Sequence, residues 1–245
     1  MSTTHGSYRS LNASNNEIRV IGINDRSQSS TYDDAKHKAS LTCSLEHVSL
    51  LDANPFYALS YVWGSSVPYA DILLDDQPFA VPKNLWPFLQ VLGDRFCLGD
   101  GGPGSADLPL RVWADYVCIN QNDTSERSEV SLMGDIYRAA NAVYGWLGAP
   151  RSPRDDDGKG STDMPARVRA VSFSSDDIAP SLYWTRLWIK QEVMLAKDVW
   201  LFHDEHVVDW ASMLSSMRTA KDRHSSQDSS SDAKAVGRDV SSVMP

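Results

Sequence analysis

The sequence predicts an α/β fold with a central, mostly parallel sheet flanked by helices in three layers. Three observations predict it. First, a hydrophobic run through Trp113-Ala-Asp-Tyr-Val-Cys-Ile-Asn-Gln121 turns abruptly polar at Asn120-Gln-Asn-Asp123 and then opens a helix. A strand thus delivers polar side chains to a sheet edge, where open α/β sheets bind ligands. Second, strand, helix and strand signals follow one another over about 35 residues up to Gly148, the spacing of a right-handed parallel unit. Third, a chain of 245 residues can hold one domain of ordinary size plus tails, or two very small ones, and 42% hydrophobic residues are enough for a real core.

Residues 1–16 are polar and rich in Ser and Asn, and they read as a disordered N-terminus without the apolar core of a signal peptide. Residues 17–220 read as the folded domain, and 221–245, rich in Ser and Asp, as a disordered tail. Ile18-Arg-Val-Ile-Gly-Ile23 and Leu41-Thr-Cys-Ser-Leu45 are predicted strands. So is the aromatic and β-branched run from Tyr57 to Trp63. Residues 72–81 read as an added β-hairpin, two apolar runs around Asp75-Asp-Gln-Pro78. A helix follows over 84–96, with Leu85, Phe88, Leu89 and Leu92 on one stripe. Pro87 falls in its first turn, where a missing N–H is tolerated.

Residues 99–107 form a Gly-rich loop that lacks the Gly-Lys-Ser/Thr ending of a phosphate loop and leads into a strand, not a helix. Residues 110–119 read as the central buried strand. Asp123 and Glu126 then have capping-box spacing. Val130, Met133, Ile136, Tyr137 and Ala140 stripe the next helix. A strand follows at 142–147, then a charged loop over 149–180 with a weak helical patch at 166–171. The remainder reads as a helix at 182–196, a strand at 199–202 and a last helix at 209–219. No run approaches the roughly 20 apolar residues of a membrane span.

A formal net charge of −9 without a Lys/Arg cluster argues against nucleic acid as a partner. Cys43, Cys97 and Cys118 are few and widely spaced, which fits a reducing, cytoplasmic setting and gives no metal-site spacing. Cys118, inside an apolar run, reads as a small buried hydrophobe rather than a nucleophile. Asp115, among apolar neighbours, is expected to be buried and hydrogen-bonded to backbone or Arg127. Arg127 sits in a first helical turn, where the macrodipole disfavours a cation, which points to a specific carboxylate or phosphate partner, most simply Asp115 or Asp123. Asn120 and Gln121, at a strand end, either line a cleft or cap a loop.

On a wheel of roughly 100° per residue, Trp184, Leu187, Trp188 and Leu195 share a stripe, with Gln191 near its centre and Glu192 at its flank. A glutamine there either bonds buried backbone or faces a polar cleft with Glu192 at its lip. The plainer alternative is a satisfied core amide and a surface carboxylate paired with Lys190 or Arg186.

Three blocks occur together: Tyr57-Ala-Leu-Ser-Tyr-Val-Trp-Gly64, the Trp113 to Gln121 run with Asp123, Glu126 and Arg127, and Trp184-Thr-Arg-Leu-Trp-Ile-Lys-Gln-Glu192. In order and separation they resemble the fungal heterokaryon-incompatibility (HET) domain. Ala114 departs from it, since members often carry a larger aliphatic residue there. The resemblance marks Gly64, Trp113, Asp115, Arg127, Trp188 and Gln191 as structural motif residues. It implies a role in non-self recognition between fungal cells that ends in programmed cell death. The partners implied are further copies of the chain and other incompatibility or NLR-type signalling proteins.

More remotely, the chain is similar to Toll/interleukin-1 receptor (TIR) domains, which implies a flavodoxin-like arrangement. Ala58-Leu-Ser-Tyr61 looks like their Phe-Ile-Ser-Tyr strand, and Arg186-Leu-Trp-Ile-Lys-Gln-Glu-Val193 like their Trp-Cys-x-x-Glu-Leu helix. Glu192 then falls on the glutamate with which enzymatic TIR domains cleave NAD. NAD thus enters as a possible substrate, with no cofactor implied. Ser60, Tyr61, Trp63, Asn120 and Gln121 become candidate substrate-binding residues. Tyr61 and Trp63 would stack on a nicotinamide or adenine ring, or else simply pack in the core. Departure of neutral nicotinamide leaves an oxocarbenium-like ribose, which one carboxylate can stabilise without a general acid. The competing expectation is a non-enzymatic scaffold that acts through self-assembly and partner recruitment. Catalysis requires an open cleft at Glu192 and Ser60, whereas the scaffold requires Glu192 tied into a salt bridge.

Overall fold

The computed structural model describes residues 8–23, 41–52, 55–64, 69–97, 110–123, 126, 132–148, 181–186, 188–204 and 206–219. The strands among them are β1 Glu17–Ile23, β2 Thr42–Ser49, β3 Tyr57–Ser60, β4 Tyr69–Leu74, β5 Gln77–Pro82, β6 Leu110–Trp113, β7 Ala142–Trp146, β8 Val199–His203 and β9 His206–Asp209. They form one sheet in the order β5-β4-β2-β1-β6-β3-β7-β8-β9. Helices α1 Leu85–Cys97, α2 Asp115–Cys118, α3 Met133–Ala139 and α4 Ile189–Leu195, with a C-terminal helix over 210–219, complete an α/β architecture. Residues 1–7, 99–107, Arg127, the 166–171 patch and the 221–245 tail lie outside the described residues.

The sheet is mixed rather than mostly parallel. β1–β2, β1–β6, β4–β5 and β8–β9 are antiparallel, whereas β2–β4, β3–β6, β3–β7 and β7–β8 are parallel. Period-2 hydrophobicity marks a strand but not its direction, which the connections decide. β4 and β5 meet at Asp75 and Asp76, both with positive φ (48° and 60°), so a tight turn returns the chain antiparallel. The parallel strands β6-β3-β7-β8 are contiguous in space. β3 and β7 are buried at every position, as strands covered on both faces are. The 110–147 unit is wider than sequence adjacency suggests: β6 and β7 are each parallel to β3, which lies between them.

Two other expectations change. β6 stops at Trp113, and Asp115-Tyr-Val-Cys118 is a single helical turn, with the amides of Cys118 and Ile119 bonded to the carbonyls of Ala114 and Asp115. A continuous apolar run does not distinguish a buried strand from a buried helix. Likewise, 182–196 is not one helix. A 3-10 turn, Leu182–Thr185, ends at Arg186, whose backbone is extended (φ −75°, ψ 131°), and α4 begins afresh at Ile189. β9 and the 3-10 turn Ala13–Asn15 had no counterpart in the sequence reading.

The core is strongly aromatic. Phe88 of α1 stacks on Trp146 at 5.0 Å, Tyr57 stacks on Tyr144 at 4.6 Å, and Trp113 meets Tyr137 edge-on at 5.8 Å. Among the described residues, no helix is long and apolar enough to cross a membrane.

Candidate functional site

β3 ends at Ser60, and the chain continues through Tyr61 to Trp63. In the parallel block β3 has β6 on one side and β7 on the other, so its carboxyl end lies where the connections run off in opposite directions. That is the position at which open α/β sheets place ligands.

Glu192 reaches this edge from α4. On that short helix Ile189 and Glu192 are buried, while Gln191 is exposed. The break at Arg186 resets the helical phase, so a wheel drawn over 182–196 assigns the faces wrongly. Glu192 is 1% exposed rather than at a lip, and Trp188, on the expected apolar stripe, is 52% exposed. Gln191 lies against α3 instead, its amide 3.5 Å from where a Cβ on Gly134 would sit.

The Glu192 carboxylate is fully engaged. Ser60 Oγ donates to Oε2, and Arg186 donates Nη1 to Oε2 and Nη2 to Oε1, both at 3.1 Å. Arg186 Nη1 also donates to Ser60 Oγ at 3.3 Å. The Tyr183 hydroxyl is 2.8 Å from Ser60 Oγ. With the single Ser60 proton directed at Glu192, Tyr183 is the donor in that pair. Ser60, Tyr183 and Glu192 are all buried, whereas the Arg186 side chain is 18% exposed and approaches from the solvent side. Burial pushes the Glu192 carboxyl above its ordinary range, against the pull of Arg186 and of the Ser60 hydroxyl. Burial likewise holds the Tyr183 phenol protonated, and the Glu192 charge adds to this.

A second carboxylate stands beside the first, half-buried rather than buried as expected. Asp115 opens α2 rather than sitting mid-strand. Its Oδ1 accepts the Tyr61 hydroxyl at 2.9 Å and the Tyr116 amide at 2.7 Å, and its Oδ2 accepts the Trp63 indole N–H at 2.8 Å. Burial raises its affinity for a proton, opposed first by these hydrogen bonds and then by the Arg186 charge. Trp63 remains 42% exposed and is braced edge-on by Tyr116 at 5.6 Å. The next residue, Gly64, has φ +77°, and a Cβ there would lie 2.8 Å from the Asn84 amide nitrogen, so the motif glycine is a backbone requirement.

The structure therefore gathers Glu192, Ser60, Tyr61, Trp63 and Asp115 at one sheet edge. It does not bring Asn120 or Gln121 into the hydrogen bonding of Glu192. Asn120 Oδ1 accepts the Asn122 amide at 3.1 Å, and the Gln121 amide reaches the carbonyls of Asp115 and Ile119 at 3.4 and 3.3 Å, so both hold the turn after α2. Glu126 does not close a capping box. It forms a buried ion pair with Arg19, with both N···O distances 2.7 Å, and accepts the Asn120 amide at 2.8 Å. Cys118 is buried, its thiol pushed up to about 12, which leaves no thiolate for nucleophilic chemistry. Sequence reasoning missed Tyr183 and Arg19 outright. It treated Arg186 as the partner of a surface carboxylate, when the pair is inside.

An α/β domain with a buried acid, a serine and an arginine at the carboxyl edge of its parallel strands is a domain whose polar centre is built into the fold. The chain belongs to the heterokaryon incompatibility protein (HET) family, whose model matches residues 56–192. It is 33% identical over 137 residues to heterokaryon incompatibility protein 6, OR allele, of Neurospora crassa, over 52% of this chain and 19% of that protein. The chain thus spans about a fifth of the length of that curated relative. No solved structure matches.

Proposed function

We propose that this domain is a cell-death module of fungal non-self recognition, and that its chemistry is TIR-like cleavage of NAD at Glu192. The observation that carries the reading is the Glu192–Ser60 pair at the carboxyl end of β3. Two features support it. Taking β3 as the first strand of the parallel block, the spatial order is second, first, third, fourth, which fits a flavodoxin-like arrangement. The buried carboxylate also matches the demand of the reaction. The N-glycosidic bond breaks, its electron pair leaves with neutral nicotinamide, and water adds to the ribose carbon and gives up a proton to solvent to yield ADP-ribose. Glu192 would stabilise the cationic ribose, and the half-exposed Trp63 ring, held by Asp115, would offer a stacking surface. Copies of the chain and other incompatibility proteins are the partners this role implies.

A second reading, the non-enzymatic scaffold, is favoured by one specific observation: Glu192 is tied bidentately to Arg186. NAD consumption by the purified domain at high concentration, beside Glu192→Ala, separates the two. Turnover that vanishes in a folded Glu192→Ala supports catalysis. Absence of turnover in a demonstrably self-assembled domain makes Glu192 structural and leaves the scaffold.

A further inference from the structure

We propose that Arg186 is a resident cation occupying the seat of the ligand's positive charge, so that the domain stays idle until a cationic ring displaces it. The inference rests on the NAD-cleaving reading and specifies how that site is regulated.

Remove the guanidinium and Glu192 keeps one protein donor, the Ser60 hydroxyl, on Oε2, while Oε1 loses the donor shown for it. A buried carboxylate so poorly satisfied demands a replacement cation. The Asp115 carboxylate, which also feels the Arg186 charge, deepens that demand. The oxidised nicotinamide ring of NAD carries one delocalised positive charge on a planar group, as a guanidinium does.

The geometry also allows exchange. Arg186 lies at the break between the 3-10 turn and α4, in extended backbone, and its own amide makes a long 3.4 Å bond to the Tyr183 carbonyl. The groups it touches, Ser60 at the end of β3 and Glu192 on α4, lie deeper than its own side chain. Its exposed side faces solvent, the direction from which a ligand arrives.

The test uses the full chain, Arg186→Ala, and guanidinium chloride at low millimolar concentration as the probe. An open state populated at roughly 1–10% implies that removing Arg186 strengthens apparent NAD affinity about 10- to 100-fold. Guanidinium should then compete with NAD in the variant and spare the parent. It should also raise the thermal midpoint of the variant and not of the parent. Equal sensitivity of variant and parent in both readouts overturns the proposal. If neither protein consumes NAD, the enzymatic reading fails, and carbodiimide–amine labelling judges Arg186 separately. Glu192 labelled in the variant but not the parent, with guanidinium protecting it, sustains the displaceable cation. Equal labelling in both overturns it. Arg186→Gln carries the same comparisons should the alanine variant not fold.

Discussion

Gly145 sits in β7 under the site, and a Cβ there would lie 2.7 Å from the Tyr183 hydroxyl and 2.8 Å from Leu201 Cδ2. Both neighbours are fully buried, so neither can step aside freely. Gly145→Ala is expected to cost on the order of 1–3 kcal/mol by overpacking, measured by urea unfolding. It should also push Tyr183 off Ser60. The reach of the sequence is clearest at this scale. Glu192, Ser60 and Asp115 stand in motif blocks and could be singled out. Which side chains pair with them could not be read, because Tyr183 lies 123 residues from Ser60, and Tyr61 and Trp63 lie 54 and 52 residues from Asp115. Local patterns carry no record of such pairings. Where the pattern did speak, over 182–196, it assumed one continuous helix and so turned Glu192 the wrong way.

Between elements, the Arg19–Glu126 pair ties β1 to the segment beyond α2. Arg19 also bonds the Cys118 carbonyl at 3.2 Å and the Arg9 carbonyl at 2.5 Å, and its guanidinium lies 4.9 Å from the Tyr8 ring. Both charges are buried, so removing one leaves the other uncompensated. Arg19→Ala should cost about 3–5 kcal/mol, whereas Arg19→Leu combined with Glu126→Leu should cost far less. Denaturant unfolding of the single and double variants checks this. Eight of the nine strands were legible as strands, at least in part, from β-branched and aromatic runs, including the paired runs of β4 and β5. β6 was read too long because Tyr116, Val117 and Cys118 suit a strand as well as a helix, and the tertiary bonds of Asp115 decide the matter. β9, half-buried throughout at the sheet edge, has no strong alternation to announce it. Apart from the turn between β4 and β5, the direction of each strand was beyond local pattern.

For the molecule as a whole, buried Glu192 and half-buried Asp115 set an unusual pH response. Glu192 and Asp115 bind a proton more tightly folded than unfolded, so the folded state holds more protons just above the ordinary values of 4.5 and 3.8. Stability from this source is present at low pH and is lost as pH rises from those values through the raised folded ones. Glu17 acts oppositely. The Arg9 hydrogen bond holds it down to about 2, so its contribution is present above 4.5 and lost as pH falls. Glu192→Gln removes one titration, and its thermal midpoint should fall less steeply than the parent's as pH rises above 4.5. Parallel slopes would refute the assignment. The same long-range architecture also has a consequence in time. β3 lies between two strands that are both made after it, and Ser60 waits 132 residues for Glu192. At a synthesis rate of about 5–20 residues per second, that is a delay of roughly 7–26 s. Until β6 and β7 follow, the nascent chain carries β3 with both edges unpaired, and until residue 192 is made it has no Glu192 centre. Any activity at that centre must therefore wait for α4, and an unpaired β3 carries the aggregation hazard of an open strand edge in the meantime.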